Sequence, residues 1–435
     1  MQTHLTSNRI PLLNSFTTMS SQAPNRKVLL IGATGSIGSI ILSAILSSPN
    51  PPSVTILKRT SSTSPLPPSV PVISLPSYDA ASAPLSTLVP LFKGFDAIIS
   101  CQTTLSVSNQ LHLIDAAIQA GVKRYFPSEY GLNNMRSDTQ SLCPVFKEKG
   151  TVQRYLRDRE DRIEWTSVSC GTWLGWSFAN NFLGLDVKNK KVKYWDDGEG
   201  RFSITTEENT AAAVVRAVTT HWDETRNRNV FLSDVVTSQR EIVDEIERQI
   251  GGGRGGVEKF AVEKVRSEEE IERLKGRLEA GEGIAVLGLI EAGLASGKFG
   301  TDFEKEEEVM NERLGLASKG LAEIVREGLA SLGDHMMDDL LLAETMLRIS
   351  VRPKPRLTIY LSGQTTFHDK VGMVQEYDAV RGVTRPLSES EPALCSAWSR
   401  RQTKNSVRWV IPLSAVVLNR ANQKRKAKQP RSPEG

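Results

Sequence analysis

Residues 27–46 read KVLLIGATGSIGSIILSAIL, and this stretch decides the fold of the N-terminal region. Lys27–Ile31 is an almost continuous apolar run that ends at a glycine, as a buried parallel strand does. Apolar residues then recur at helical spacing from Ile37 to Ile45. The stretch therefore predicts a strand, a glycine-rich turn and a helix, which together open a βαβ unit.

The turn itself, GATGSIG, has the spacing G-x-x-G-x-x-G. In such a loop Gly32 allows a tight turn, Gly35 lets the backbone approach a pyrophosphate, and Gly38 lets the helix pack on the strand. The helix N-terminus offers N–H groups and partial positive charge to the phosphates. A ligand-free glycine turn is the alternative, but the flanking strand and helix favour a dinucleotide site. The loop residues expected to bind cofactor are Gly32, Thr34, Gly35, Ser36, Ile37 and Gly38.

The end of the second predicted strand indicates which dinucleotide is bound. Strand Ser53–Leu57 is followed by Lys58 and Arg59, and no carboxylate occurs before Asp79. NAD-binding domains usually place Asp or Glu here to accept hydrogen bonds from the ribose 2′-OH. Arg59, with Lys58 beside it, can instead pair with a 2′-phosphate, whereas a carboxylate would repel that phosphate. The sequence therefore predicts NADP(H) as the cofactor.

Strand and helix patterns keep alternating up to about residue 170, which predicts an α/β fold with a Rossmann-type, doubly wound parallel sheet. Gly121 stands in the C-cap position of one of the helices. The further strands are expected at 70–74, 96–100, 123–126 and 163–169, and the helices at 109–120 and 144–159.

The pattern then changes, so we divide the chain into an NADP-binding domain (27–170) and a smaller mixed α/β substrate-binding region (171–332). Lys191–Trp195 and Arg201–Thr205 flank Asp-Asp-Gly-Glu-Gly, which predicts a hairpin. Further helices are expected at 207–220, at 239–250 behind a Ser238/Glu241 capping box, after a Ser267/Glu270 capping box, and at 314–332.

The two ends of the chain lack this regularity. Residues 1–26 are interpreted as a disordered leader, in which Met19 is an alternative start, and 333–435 as a disordered tail. The basic cluster 424–428 could serve nuclear import or nucleic-acid binding, but a disordered tail, or sequence translated past the end of the reading frame, is the favoured interpretation. The glycine run 251–256 has no strand before it, so a loop is favoured over a nucleotide site.

Composition excludes several classes of protein. The 435 residues are 39% hydrophobic and 24% charged, as in a globular protein. The formal net charge of +4 is small for this length and argues against a nucleic-acid partner. Four scattered cysteines and five scattered histidines form no metal-site pattern, so no metal is expected. No apolar run is long enough to cross a membrane. We expect a cytoplasmic protein, a monomer or homodimer, that binds a small molecule.

Every tyrosine was checked for the Tyr-x-x-x-Lys motif of ordinary short-chain dehydrogenases, and none has Lys four positions on. The loop, Arg59, the segment QLHLIDAAIQAGVKRYFPSEYG (110–131) and the helix residues Phe146-Lys147-Glu148-Lys149 resemble the isoflavone reductase-like family, which borders the NmrA-like regulators. The resemblance covers about Lys27 to Leu332, and KRYFPSEYG is its most specific part.

The resemblance implies that Lys149 is the catalytic lysine, whereas its spacing alone would suit a surface helix lysine. A lysine in a partly desolvated cleft can exchange protons near neutral pH. The resemblance also places Trp173 in a substrate-facing loop, with core packing as the alternative.

Three residues follow the fifth predicted strand, where ligands sit in open α/β sheets. Ser128, Glu129 and Tyr130 are therefore candidates for the nicotinamide side of the cleft, although Glu129 could simply brace its loop.

Two functions are consistent with these residues. The first is an NADPH-dependent reductase of a small secondary metabolite, with an aromatic ring as one option, in which Lys149 is the general acid or base. The alternative is a non-catalytic sensor of NADP(H) redox state, like NmrA-type regulators. Regulators of that kind often lack the lysine, so Lys149 favours the enzyme.

Overall fold

A computed structural model describes residues 25–103, 107–251 and 259–332, together with four short strands between 375 and 410. The strands are β1 (Lys27–Ile31), β2 (Ser53–Arg59), β3 (Val72–Leu75), β4 (Ala97–Ser100), β5 (Arg124–Phe126), β6 (Glu164–Ser169), β7 (Leu185–Asp186), β8 (Lys191–Trp195), β9 (Phe202–Ile204), β10 (Arg228–Phe231), β11 (Val235–Thr237), β12 (Ala261–Val265), β13 (Gln375–Asp378), β14 (Val383–Pro386), β15 (Ser399–Thr403) and β16 (Ser406–Val410).

The helices are α1 (Ser36–Ser47), α2 (Leu85–Phe92), α3 (Asn109–Ala120), α4 (Ser137–Leu142), α5 (Pro144–Arg157), α6 (Leu174–Ala179), α7 (Glu207–Val218), α8 (Gln239–Ile250), α9 (Ser267–Glu279), α10 (Ala285–Ala295), α11 (Phe303–Glu306) and α12 (Leu321–Ser331).

Seven parallel strands form the central sheet, in the order β10-β6-β5-β4-β1-β2-β3. The predicted Rossmann-type sheet is therefore confirmed. The strand order reverses between β1 and β4, and a crevice opens at such a point beyond the carboxyl ends of the strands. The register pairs Ile31 with Leu57 and with Ser100, so these strands end side by side at that edge.

Both faces of the sheet are covered by helices, because the strands are apolar on both sides. Helices α1 and α7 pack together over one face, and α2, α3 and α5 cover the other. Leu29, Leu30 and Ile31 of β1 are fully buried. The start of the cofactor loop is thus anchored in the centre of the core.

The last strand of the sheet comes from beyond the predicted domain boundary. Strand β10 pairs in parallel with β6, and Phe231 continues into a bridge with Val309. Sequence reasoning assigned no strand to these residues. The chain therefore returns to the nucleotide-binding sheet after residue 170 before it builds the rest of the second region.

The second region has its own apolar core and two small sheets, β11-β9 and β12-β8-β7. The predicted hairpin across Asp-Asp-Gly-Glu-Gly is wrong, because β8 pairs with β7 and β12 while β9 pairs with β11. Asp196 explains the divergence: its carboxylate accepts hydrogen bonds from the backbone N–H (2.8 Å) and hydroxyl (2.7 Å) of Ser267. These two bonds tie the turn that follows β8 to the N-terminus of α9.

Two of the helix predictions need correction and one is confirmed. Ser238 and Glu241 form the predicted capping box of α8. Ser267 does not cap α9: it is the first helical residue, and its hydroxyl is committed to Asp196. The last helix begins at Leu321 and not at Leu314, because the chain turns at Gly315, whose φ is +62°.

The C-terminal strands form a separate unit and are described by themselves. Strands β13 and β14 pair antiparallel, and so do β15 and β16. These four strands are the described residues of 333–435, the segment that we interpreted from the sequence as a tail. The interpretations of residues 1–24, of the basic cluster at 424–428 and of most of the glycine run at 251–256 lie outside the described residues.

Candidate active site

The glycine loop connects β1 to α1 at the carboxyl edge of the sheet. Gly32 has φ +82°, and a Cβ there would lie 2.3 Å from the carbonyl oxygen of Cys101. A Cβ on Gly38 would lie 2.1 Å from the carbonyl oxygen of Gly32. Both positions therefore require glycine for the turn and for the contact of α1 with the loop.

Gly35 differs, because a Cβ there would meet only the Gly32 carbonyl oxygen, at 3.5 Å. Its φ of −83° is also ordinary for other residues. Gly35 is the N-cap of α1, no side chain caps the helix, and its first turn has no acidic residue. An open approach to an uncapped helix N-terminus fits a pyrophosphate, so the loop passes the geometric test for a dinucleotide.

The end of β2 lies beside this loop. Lys58 Nζ donates to the carbonyl oxygen of Ser62 (3.2 Å), and the Ser62 hydroxyl lies 3.4 Å from that of Thr34. Arg59 is exposed at the strand end, where no described hydrogen bond or ion pair occupies its guanidinium. The amine of Lys58 is therefore engaged within the loop, whereas the guanidinium of Arg59 is available to bind an anion.

Polar side chains gather beyond β4 and β5. The Ser128 hydroxyl donates to the carbonyl oxygen of Gln102 (2.8 Å), and its backbone N–H donates to Gln110 Oε1 (2.7 Å). The Tyr130 hydroxyl lies 3.6 Å from Cys101 Sγ, and its backbone N–H donates to Val168 (2.9 Å). The loop after β5 is thus tied to β4, α3 and β6.

Lys149 reaches this same edge from α5. Its Nζ donates a hydrogen bond to the backbone carbonyl of Glu129. Burial lowers the pKa of Lys149, and the negative charge of Glu129 offsets part of that decrease. Lys147, by contrast, is exposed. The structure therefore brings Lys149, and not its neighbour, to the strand ends where ligands bind in this fold.

Glu129 is fully buried beside this lysine. Burial raises the pKa of its carboxyl group, while Lys149 and the Asn134 side chain act in the opposite direction. Asn134 Nδ2 donates to Glu129 Oε2 at 2.6 Å. The site thus holds a partly buried lysine amine and a fully buried carboxyl group whose protonation states depend on each other.

The aromatic loop after β6 is partly committed to packing. Trp173 Nε1 donates to the Thr210 hydroxyl (3.0 Å), and Trp173 remains half-buried. Trp176 packs edge-on against Phe182, with ring centroids 5.2 Å apart. Gly171 has φ +64°, and a Cβ there would lie 2.0 Å from the Ser203 carbonyl oxygen. This close approach fixes the start of the loop against β9.

Several polar groups lie near this site, and all of them except Glu129 were not predicted from the sequence. Their side-chain atoms are buried and have no hydrogen-bond partner among the described residues, which is costly unless a ligand or water satisfies them. These atoms are Ser100 Oγ, both amide atoms of Gln102, Gln110 Nε2, Glu129 Oε1, Asn134 Oδ1 and both amide atoms of Gln153. No sequence motif marks Gln102, Asn134 or Gln153, because their role depends on tertiary placement.

Two further properties were tested on the described residues. Within them, no cluster of His, Cys, Asp or Glu could hold a metal ion. In that same part of the chain, none of the helices has the length and apolar character needed to cross a bilayer.

The fold is a Rossmann-type α/β fold, and the described residues bring Lys149 to the carboxyl edge of its sheet. The chain belongs to the NmrA-like family, whose model matches residues 24–266. Oxidoreductase aprR of Aspergillus flavus is 31% identical over 306 residues, which are 69% of this chain and 97% of that protein. The family resemblance found in the sequence motifs is therefore confirmed.

Isoflavone reductases are similar to this chain in sequence and in structure. The enzyme from Pisum sativum is 28% identical over 248 residues, covering 53% of this chain and 77% of that protein. A solved isoflavone reductase superposes with a TM-score of 0.55 at 22% identity, covering 70% of this chain and 99% of that one. The leucoanthocyanidin reductase–NADPH complex from Vitis vinifera gives 0.52 at 17% identity, over 70% and 99%. These superpositions support the fold.

Proposed function

We propose that this protein is an NADPH-dependent oxidoreductase that reduces a small secondary metabolite, with Lys149 as the general acid or base. The observation that carries the proposal is the position of Lys149, whose Nζ is held at the carboxyl edge of a dinucleotide-binding sheet. The relatives named oxidoreductase and isoflavone reductase support the same class of reaction.

NADP(H) is the cofactor we propose, on the evidence of this chain's own residues. The backbone from Gly32 to Gly38 would hold the pyrophosphate at the N-terminus of α1. Arg59 would pair with the 2′-phosphate, and Lys58 would add positive charge beside it. The NADPH complex of a structurally similar reductase agrees with this choice.

When bound, NADPH would supply a hydride to an electrophilic carbon of the substrate. The protein's part is to place that carbon and to move a proton. Lys149 would donate the proton to the substrate oxygen in the reductive direction, because burial lowers its pKa toward the working range. Ser128 and Tyr130 would shape the nicotinamide side of the cleft. The half-buried ring of Trp173 would line the substrate side and favour an aromatic group.

The alternative is a sensor that binds NADP(H) without turnover. The buried Lys149–Glu129 arrangement favours the enzyme, because a buried amine costs stability that a binding module has no need to lose.

A substrate-panel assay separates these two functions. NADPH deuterated at C4 is incubated with the protein and a panel of small aromatic ketones, enones and benzylic ethers. We expect deuterium to appear in one product class, as measured by mass spectrometry. NADPH binding without deuterium transfer to any member of the panel, together with capture of a stable protein partner, would favour the sensor.

A further inference from the structure

Among the described residues, Glu129 is the buried carboxyl group beside Lys149, and the proposed mechanism gives it no task. Its side chain has no exposed surface. Oε2 accepts the 2.6 Å hydrogen bond from Asn134, whereas Oε1 has no partner among the described residues. A residue that only braced the loop would need only Oε2. Because Oε1 has no described hydrogen bond, the carboxylate can act on its surroundings through its negative charge.

The surroundings of Lys149 supply few other charges. The groups that face its amine are Glu129, Cys170 and Cys143. Burial raises the pKa of the Cys170 thiol to about 12 and that of Cys143 to about 11. Both thiols are therefore neutral at physiological pH, which leaves the carboxylate of Glu129 as the negative charge that acts on the amine.

The backbone holds the two groups in place independently of that charge. Lys149 Nζ is anchored on the carbonyl oxygen of Glu129, so removing the carboxylate leaves the anchor intact. A Cβ on Gly150 would lie 2.4 Å from the Asn134 carbonyl oxygen, and Gln140 Nε2 donates to the same oxygen at 2.7 Å. The middle of α5 is therefore packed closely against the loop that carries Asn134.

Gln153, one turn along α5 from Lys149, completes the enclosure. It is fully buried, and neither atom of its amide has a hydrogen-bond partner among the described residues. Burial raises the pKa of Glu129, whereas the positive charge of Lys149 and the hydrogen bond from Asn134 act in the opposite direction. These two neighbours therefore favour the ionised form of the carboxyl group.

We propose that Glu129 is a positioning residue whose carboxylate keeps Lys149 in its ammonium form at the edge of the cleft. This inference rests on the proposed function, in which a reduction ends with proton donation to the substrate oxygen. A desolvated amine without a nearby negative charge loses its proton more easily. Without Glu129, a larger fraction of the resting enzyme would have no proton to donate.

The direct test is the titration of the amine itself, which needs no substrate. The full chain is labelled with ¹³C,¹⁵N-lysine, and the Lys149 signal is assigned by its loss in Lys149→Met. Glu129→Gln retains hydrogen-bonding atoms of similar geometry but loses the charge. In this variant we expect the pH midpoint of the Lys149 amine titration to fall by about one pH unit or more. Glu129→Asp, which retains the charge, should restore most of the shift. An unchanged midpoint in a folded Glu129→Gln protein would overturn the proposal.

Glu148→Gln is the matched control, since it makes the same chemical change one residue from Lys149. Glu148 is not among the groups that act on Lys149. In Glu148→Gln, the pH midpoint of the Lys149 titration should therefore stay at the wild-type value. An equal shift in both variants would overturn the specific role of Glu129.

If Glu129→Gln does not fold, the wild-type protein provides a second test. The ¹³Cδ signal of Glu129 should show a step at the Lys149 midpoint, because the two charges face each other, and absence of that step would overturn the proposal. Failure of NADPH turnover would contradict the proposed function and leave these titrations valid. Unchanged titrations in an active enzyme would contradict only the role of Glu129.

Discussion

At the scale of single residues, the proposed preference for NADP(H) depends on Arg59. Its guanidinium is exposed at the end of β2, and the loop beside it contains hydroxyl groups and no carboxylate. The absence of acidic residues before Asp79 was visible in the sequence, and so was the strand that ends at Arg59. The sequence could place Arg59 at the strand end because the relevant residues are neighbours along the chain, and its role toward the cofactor stays a prediction.

Replacing Arg59 should therefore separate the two dinucleotides. In Arg59→Ala we expect NADPH to bind about 10- to 100-fold more weakly, since a charge-assisted hydrogen bond is lost. NADH affinity should change little, because it has no 2′-phosphate. Dissociation constants from calorimetry check this, with Lys93→Ala as a control on a distant helix end. Equal losses for both dinucleotides would contradict the assignment.

At the scale of elements, the glycine loop performs two tasks at different positions. Gly38 is in tight contact with the backbone of Gly32, whereas Gly35 faces open space. Sequence reasoning assigned these tasks from the motif, and the local strand–turn–helix pattern was enough for that. Sequence reasoning did not find β10, nor the separate partners of β8 and β9. Those features depend on contacts between distant segments, such as Asp196–Ser267.

Two alanine variants should separate folding from binding. Gly38→Ala should destabilise the protein by about 1–3 kcal/mol, because backbone must move to admit the methyl group. Gly35→Ala should cost less than about 1 kcal/mol of stability, yet it should weaken NADPH binding strongly by blocking the pyrophosphate. Urea unfolding and cofactor titration of both proteins check this. Equal destabilisation by the two substitutions would contradict the division of tasks.

At the scale of the whole molecule, one buried cation joins the sheet to the chain that leads into β10. Arg124 of β5 is fully buried; its Nη2 donates to Glu164 Oε2 at 2.6 Å and Nη1 to the Thr225 hydroxyl at 3.3 Å. Its guanidinium also stacks on Trp222, 3.8 Å from the ring centroid. No sequence pattern marked Arg124 as structural, since its partners lie 40 to 101 positions away.

Arg124→Met should destabilise the fold by about 3 kcal/mol, the scale for breaking a buried ion pair. Arg226 provides the control, because it approaches the same Glu164 at 3.8 Å from an exposed position. Arg226→Met should change the free energy of unfolding by less than about 0.5 kcal/mol. Chemical denaturation of both variants measures the difference. Similar values for the two would show that burial of Arg124 is not what stabilises this edge.

The central claim is that Lys149 moves the proton in a reductase built on an NADP(H)-binding sheet. The family motif identified this residue before the structure showed its environment. Glu129 was also a candidate because it follows β5, whereas Asn134, Gln153 and the contacts of all three residues became visible only in three dimensions. In the proposed mechanism, the place of Lys149 among those partners sets the protonation that the reaction needs.

The most direct measurement compares NADPH turnover in Lys149→Met and Lys147→Met with the wild-type protein, once the panel has supplied a substrate. The account predicts that Lys149→Met loses at least about a hundredfold in kcat, the lower range for a general acid, while NADPH binding is unchanged. Lys147→Met, two residues away and exposed, should retain wild-type turnover. Full activity in Lys149→Met would contradict the account.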